Sequence, residues 1–226
     1  MTARLRRVGR TRAIVPLNVL NKSKARLSPI LAPVERERLT VAMLKDVLKA
    51  LSKAKRIHSV TVVSADMSAR NMCRRYGASF LWEGKRRGLN RGVGLAAGNV
   101  QRKGTSSILI IHSDLPLLKP KEIDLFLKQS EGYSVALTPS KDRDGTNALF
   151  MNPPQVLSPV FGRDSFQRHL SLARKHKIRA RVLRFRGIGF DIDTPSDLVE
   201  LMHLPLRNET GQFLRTLREE KFKLRY

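Results

Sequence analysis

The 226-residue chain is poor in cysteine, aromatics and acids, and each scarcity removes a class of proteins. Its one cysteine, Cys73, excludes an intramolecular disulfide framework and any metal site built from a cysteine cluster. A lone cysteine of this kind reads as a small buried hydrophobe in a reducing cytoplasm. No apolar run approaches the roughly 20 residues that span a bilayer, so no membrane segment is expected. The basic start, MTARLRRVGRTR, runs into only AIVPL, too short for the apolar part of a secretory signal. With 6% aromatics there is no aromatic-rich RNA-binding motif, and neither a GxxG clamp nor a zinc finger occurs. Acids number 19 against 44 Lys and Arg, a net charge of +25. Such a field attracts polyanions: nucleic acid, anionic membrane or phosphorylated metabolites. The charge is densest at RLRRVGRTR, GKRRG and RKHKIRARVLRFR but is spread along the chain. That pattern reads as a solvated basic surface that steers small anions, with nucleic-acid contact as the less favoured alternative.

Short β-branched runs alternate with helical patterns. Strands are expected at 13–17, 59–64, 79–82, 107–112 and 134–139, at the run ALFM, and at RARVLRF. Helices are expected from Val34 to about Lys55, up to Tyr76, after the glycine-rich GLNRGVGLAAG, at KPKEIDLFLKQS, at RDSFQRHLSLARKHK and at TPSDLVELM. The last carries its own start signal, with Thr194 as N-cap, Pro195 at the first helical position and Asp197 at the third. Alternation of this kind implies a single α/β domain, a mostly parallel sheet with helices on both faces, over residues 13–203. Residues 1–12 are expected as a basic, mobile arm, and 204–226 as an amphipathic helix packed on the same domain.

Ligands of open parallel sheets sit at the carboxyl ends of strands, near a reversal of strand order. NKSKARL, after the first strand, supplies Lys22, Lys24 and Arg26, cations suited to nucleotide phosphates; it is neither a Walker loop nor GxGxxG. Asp114 follows the most apolar run of the chain. In GFDIDTPSDL, Asp191 and Asp193 face one side if the backbone is extended, and their repulsion calls for a positive charge. Three aspartates at two strand ends suit a hard divalent cation such as Mg²⁺, which takes oxygen ligands and shares them with substrate phosphates. KDRDGTNALF adds Asp142, Asp144, Gly145, Thr146 and Asn147 in a loop that also reads as a simple Asp-Gly hairpin turn. FGRDSFQRHL places Gly162 and Ser165 at a helix start, where free N–H groups favour an anion or a plain cap. His112 and His169 have no ligand-spaced partners and read as structural.

Taken in order, AIVPLNVLNKSKARLS, ERERL, GLN, SDLPLL, DGTNALF, FGRDSFQRH and FDIDTPSDL resemble the 2-phospho-L-lactate guanylyltransferase family of MobA-like nucleotidyltransferases. The resemblance implies a nucleotide-diphospho-sugar transferase type of fold. It also implies transfer of GMP from GTP to 2-phospholactate, phosphoenolpyruvate or 3-phosphoglycerate, with release of pyrophosphate, in making coenzyme F-420. It puts the metal on Asp114, Asp191 and Asp193 and the catalytic set on these with Lys24. Pro16, Lys24, Arg26 and Asn90 would meet the nucleotide, and Thr146, Gly162 and Ser165 the phosphorylated acid. Asn18 stands where that family has a lysine. Two alternatives remain: another MobA-like or sugar-phosphate nucleotidyltransferase, and a nucleic-acid-binding protein on a degenerate transferase fold. The sequence sets no oligomeric state, a homodimer included.

Overall fold

The computed structural model describes residues 11–84, 88–102 and 104–223. Its centre is a pair of strands, β1 (Thr11–Pro16) and the later Ile108–Ile111, whose successive side chains enter opposite faces of the sheet. Ala13, Val15, Leu109 and Ile111 join the core on one face, and Ile14, Ile108 and Ile110 the core on the other. Strands covered on both faces have no polar side, which is why these runs are continuously apolar. The other early strands are β2 (Ile57–Ser64) and β3 (Ser79–Trp82), and Ile108–Ile111 is β4. Then follow β5 (Val135–Pro139), β6 (Thr146–Met151) and β7 (Ala180–Val182).

The order is β3-β2-β1-β4-β6-β5-β7. Every pairing is parallel except those of β6, which runs antiparallel to both β4 and β5. DGTNALF is thus both things the sequence allowed: an Asp-Gly hairpin and a loop that delivers polar groups to the sheet end. From β1 the chain winds outward through β2 and β3 and then returns to β4 on the other side of β1. The carboxyl ends of β1 and β4 therefore flank the reversal of strand order.

One face is covered by α1 (Pro33–Lys53), α2 (Arg70–Arg75) and α4 (Pro120–Gln129), the other by α3 (Leu89–Arg102) and α5 (Ser165–Lys175). Leu44, Val47, Leu48 and Leu51 are all buried, as their spacing predicted. After the four-residue α6 (Arg186–Gly189) come α7 (Pro195–Met202) and α8 (Glu209–Lys223). These two pack on the outer side of α1 through Leu198, Leu201, Phe213, Leu214 and Leu217. Asp46 of α1 docks α8, accepting from the N–H groups of Glu209 and Thr210, both at 2.9 Å, and from the Thr210 hydroxyl at 2.6 Å.

Three expectations change. The first strand starts at Thr11, so the last two residues of the expected arm are sheet; Thr11 Oγ1 hydrogen-bonds Ser107 Oγ at 2.9 Å. Residues 1–10 lie outside the described residues, as do 85–87 of GKRRG. RARVLRF yields only the three-residue β7, at the sheet edge. GFDID is not a strand end: α6 occupies Arg186–Gly189, and the aspartates follow in an extended connection to α7.

Candidate active site

Beyond Pro16 the chain turns through two short 3₁₀ segments, Leu20–Lys22 and Ala25–Leu27, with Lys24 between them at φ 55°. A left-handed lysine costs on the order of 1 kcal/mol and persists where its surroundings compensate. Here they do. The Lys24 ammonium, on a side chain only 8% exposed, bridges Asp114, just beyond β4, and Asp193 Oδ1 at 2.8 Å. Burial alone would lower the lysine pKa, but the two carboxylates more than offset it and hold the ammonium above its usual range. Burial likewise opposes the charge of Asp114, and Lys24 overcomes it, holding the carboxyl below its usual range. The positive charge that the paired aspartates demanded is therefore supplied, in the first instance, by the chain itself.

The alternation expected of GFDID survives without a strand. Phe190 and Ile192 are buried against α1, α7 and α8, which turns Asp191 and Asp193 to the cleft. The capping box fixes this exit: Asp197 Oδ2 accepts from Thr194 N at 2.8 Å and from Asp193 N at 3.2 Å. Asn147 ties in Asp191, its Nδ2 donating to Asp191 Oδ1 and to Ile188 O, both at 3.0 Å. Burial, and then the negative charges of Asp114 and Asp193, push Asp191 up to about 7.

Three carboxylates thus gather about one ammonium that pairs with two of them, Asp114 and Asp193, and Asp114 Oδ1 is buried without a hydrogen-bond partner. Among the described residues no group of three or more His, Cys, Asp or Glu stands ready to hold a metal alone. Mg²⁺ does not need one, since it is usually held by one or two carboxylates with phosphate oxygens and water completing the shell. The donor set fits such an ion.

Two cavities meet at this cluster. One, of about 330 Å³, lies between the first loop and the start of α3, lined by Pro16, Asn18, Ser23, Lys24, Gly88 and Leu89 among others. The other, of about 590 Å³, lies toward the β5–β6 loop and α5, lined by Asp144, Thr146, Asn147, Gly162, Arg163 and Ser165. Arg26, His112, Asp114 and Asp193 line both. Asp191 faces the second cavity only. Of the residues expected at the nucleotide, Pro16, Lys24 and Arg26 share the first cavity; those expected at the acid, Thr146, Gly162 and Ser165, share the second.

Asn90, also expected at the nucleotide, makes its contacts with the protein. Its amide is spent on the backbone of Phe161, accepting from Phe161 N at 2.7 Å and donating to Phe161 O at 3.1 Å, and it lines neither cavity. The close packing expected of GVGLAAG holds in part: Ala96 and Ala97 are buried and the Glu83 carboxylate occupies the space a side chain at Gly92 would need, but a side chain at Gly94 would meet open space.

The second cavity is wired by hydrogen bonds. Asp142 accepts from the Ser140 hydroxyl and from Asp144 N, closing the 140–145 turn. Asp144 then reaches across to α5, its Oδ1 accepting from Asp164 N at 2.9 Å and its carbonyl from Phe166 N at 3.2 Å. This brings Thr146 within 3.5 Å of Ser165 Oγ, while Gly162 takes a φ of 116° that side chains disfavour. His169, expected to be structural, is fully buried and bonds Thr146 Oγ1 through Nδ1 at 3.0 Å. His112 was read the same way, yet it stands on the wall common to both cavities with Nε2 unpartnered. Its position right after β4, two residues before Asp114, was the signal available.

A sheet of this order with an acidic cleft at its reversal point is the plan of nucleotidyltransferases of the nucleotide-diphospho-sugar transferase type. Solved structures agree in fold. A protein described as a nucleotide-diphospho-sugar transferase from Desulfovibrio desulfuricans superposes with TM-score 0.75 at 18% identity, covering 92% of this chain and 94% of that one. A nucleotidyl transferase from Methanothermobacter gives 0.65 at 14% identity, covering 92% of this chain and 100% of its own. The chain belongs to the family described as "Guanylyl transferase CofC like", whose model matches residues 11–223, and is a guanylyltransferase enzyme. It is 39% identical to a phosphoenolpyruvate guanylyltransferase of Sphaerobacter thermophilus over 87% of this chain and 95% of that protein. A 2-phospho-L-lactate guanylyltransferase of Methanocaldococcus jannaschii is 31% identical over 91% and 88%. A 3-phospho-D-glycerate guanylyltransferase of Colwellia psychrerythraea is 32% identical over 92% and 99%.

Proposed function

We propose that this guanylyltransferase moves GMP from GTP to the phosphate of a small phosphorylated acid, with phosphoenolpyruvate as the preferred acceptor. The observation that carries the reading is the shared wall of the two cavities, where Asp114, Asp193 and Arg26 separate a basic loop from a pocket lined with small hydrogen-bond donors. The preference for phosphoenolpyruvate is supported by the names of the relatives at 39% and 36% identity. GTP occupies the cavity beside Lys24 and the acid the cavity beside Thr146. A phosphate oxygen of the acid, already ionised at neutral pH, attacks the α-phosphorus of GTP in line. The new O–P bond forms as the bond from the α-phosphorus to the pyrophosphate breaks, and no general base is required. The chain's work is positioning and charge: Lys24 and Arg26 against the triphosphate, Thr146, Gly162 and Ser165 against the acid. Magnesium held by Asp114 and Asp193, with Asp191 beside them, would neutralise triphosphate charge. A cytoplasmic setting, where a lone thiol such as that of Cys73 stays reduced, is part of the same proposal.

The test is purified protein with Mg²⁺ and each of four nucleoside triphosphates against phosphoenolpyruvate, 2-phospholactate and 3-phosphoglycerate, following pyrophosphate release. Release with GTP and phosphoenolpyruvate above the other pairs is expected. Equal release with the other triphosphates, or with 2-phospholactate above phosphoenolpyruvate, overturns the corresponding half of the proposal.

A further inference from the structure

We infer that His169 is a positioning residue of the acceptor cavity: locked as its Nδ1–H tautomer, it makes the Thr146 hydroxyl a hydrogen-bond donor toward the bound anion. The inference rests on the proposed function only for which anion that is. The lock starts at the backbone. Val160 N lies 3.0 Å from His169 Nε2, and an amide N–H can only donate, so Nε2 must present its lone pair. A neutral imidazole then carries its proton on Nδ1, and that nitrogen, 3.0 Å from Thr146 Oγ1, donates to it. With one lone pair so engaged and the Ser165 hydroxyl donating from 3.5 Å on another side, Thr146 keeps its own proton to donate; the residue is fully buried in the floor of the cavity, so the anion must seat directly against it.

The opposite tautomer would invert the site. Thr146 would then donate to the ring and turn oxygen lone pairs toward an incoming phosphate or carboxylate, which repels it. The polarity of the cavity is therefore decided by Val160 N–H, one imidazole away. The ring has little freedom to turn. It meets Phe161 edge-on with centroids 5.0 Å apart, and the Phe161 backbone is gripped from both sides by Asn90. Burial holds His169 down at about 4, so the neutral ring persists at physiological pH. This gives a task to the two motif residues, Asn90 and His169, that touch neither substrate cavity directly.

Two variants separate positioning from simple packing, because Asn places its amide where Nδ1 stands and Gln where Nε2 stands. His169→Gln keeps an acceptor for Val160 N–H and loses the bond to Thr146. It should raise the KM for phosphoenolpyruvate about tenfold and leave the KM for GTP within about twofold. His169→Asn keeps the bond to Thr146 and loses the Val160 anchor. It should melt earlier yet hold the acceptor KM within about threefold of wild type. Acceptor KM values that follow the loss of melting temperature in both variants, instead of splitting this way, would overturn the inference. Nitrogen NMR of the intact protein reads the tautomer without any turnover: Nδ1 protonated and Nε2 bare is expected, and the reverse rejects the proposal. If the wild type transfers GMP to none of the acids, the proposed function fails by itself. The spectrum, with calorimetry of inorganic phosphate binding to wild type and His169→Gln, still decides this one: weaker phosphate binding by the variant supports it, and equal binding overturns it.

Discussion

On the proposed nucleotide side of the cleft, Lys24 is a long flexible side chain whose charge is already spent on Asp114 and Asp193. On the proposed acceptor side, Thr146 is a short hydroxyl fixed from behind by His169 and flanked by Ser165, with its loop pinned to α5 through Asp144. The first half must redistribute charge when a triphosphate arrives; the second is organised before its ligand comes. Size accounts for the difference. A nucleoside triphosphate brings enough charge and contact area to reorder a lysine, whereas a small acid has few atoms with which to offset ordering costs. Mutations should therefore behave differently in the two halves.

The largest effect is expected at the seam. Asp114→Asn removes one of the two carboxylates that both cavities share and leaves Lys24 with Asp193 alone. A fall in kcat of about 10²–10³, or roughly 2.7–4 kcal/mol, is expected, as for loss of other preorganised charged groups. Steady-state rates at saturating Mg²⁺ and both substrates check it; near-wild-type turnover would remove Asp114 from the chemistry. Next comes Lys24→Met. It should raise the KM for GTP by about tenfold or more and barely move that for the acid, since a charge-assisted contact of this kind is worth about 1.5–3 kcal/mol. It should also lower the melting temperature of the unliganded protein, because Asp114 and Asp193 then face each other unpaired. An unchanged melting temperature would mean that the bridge is not formed in solution.

Thr146→Val is the mirror experiment on the other half. It removes one donor and keeps the shape, so the KM for the acid should rise about tenfold, near 1.4 kcal/mol, with the KM for GTP constant. If GTP binding weakens instead, the two cavities have been assigned to the wrong substrates.

Much of this contrast was legible in the sequence, and the illegible part has a physical cause. Strand and helix positions follow from apolar periodicity, and the α7 capping box is local chemistry that four residues encode. Asp114, Asp191 and Asp193 could be grouped because each follows an apolar run or alternates with buried residues. Partners separated by many residues could not be read. Lys24 meets Asp193 across 169 positions, and Asn90 meets Phe161 across 71, so neither bond leaves a spacing in the sequence. Nothing in the sequence therefore signals that the Asn90 amide holds the backbone next to His169. GFDID misled in a smaller way, since alternating burial occurs in any extended segment whether or not it pairs in a sheet. His169 looked structural because it has no ligand-spaced partners; only the backbone donor at Val160 gives its burial a polarity.

The smallest effect tests the one carboxylate that the ammonium does not reach. Asp191 stands at about 7 in the folded protein against 3.8 for an ordinary aspartate, raised first by burial and then by Asp114 and Asp193. A folded pKa raised in this way adds stability that is complete below about pH 4 and is lost as pH rises through 7. Asparagine at this position cannot titrate but can still accept the bond from Asn147. Asp191→Asn should thus match the wild type near pH 4 and exceed it at pH 8 by at least about 1 kcal/mol, each such increment being worth about 2–4 °C in melting temperature for a domain of this size. The remaining charged neighbours, Asp114, Asp193 and Lys24, are common to both proteins and cancel in the difference. Adding Mg²⁺ and GTP at pH 8 should then reverse the order, because a ligand that binds only the folded state stabilises the protein with the higher affinity for it. Parallel melting curves for the two proteins from pH 5 to pH 8 would show that Asp191 carries no such strain, and the unliganded cleft would then need no cation beyond Lys24.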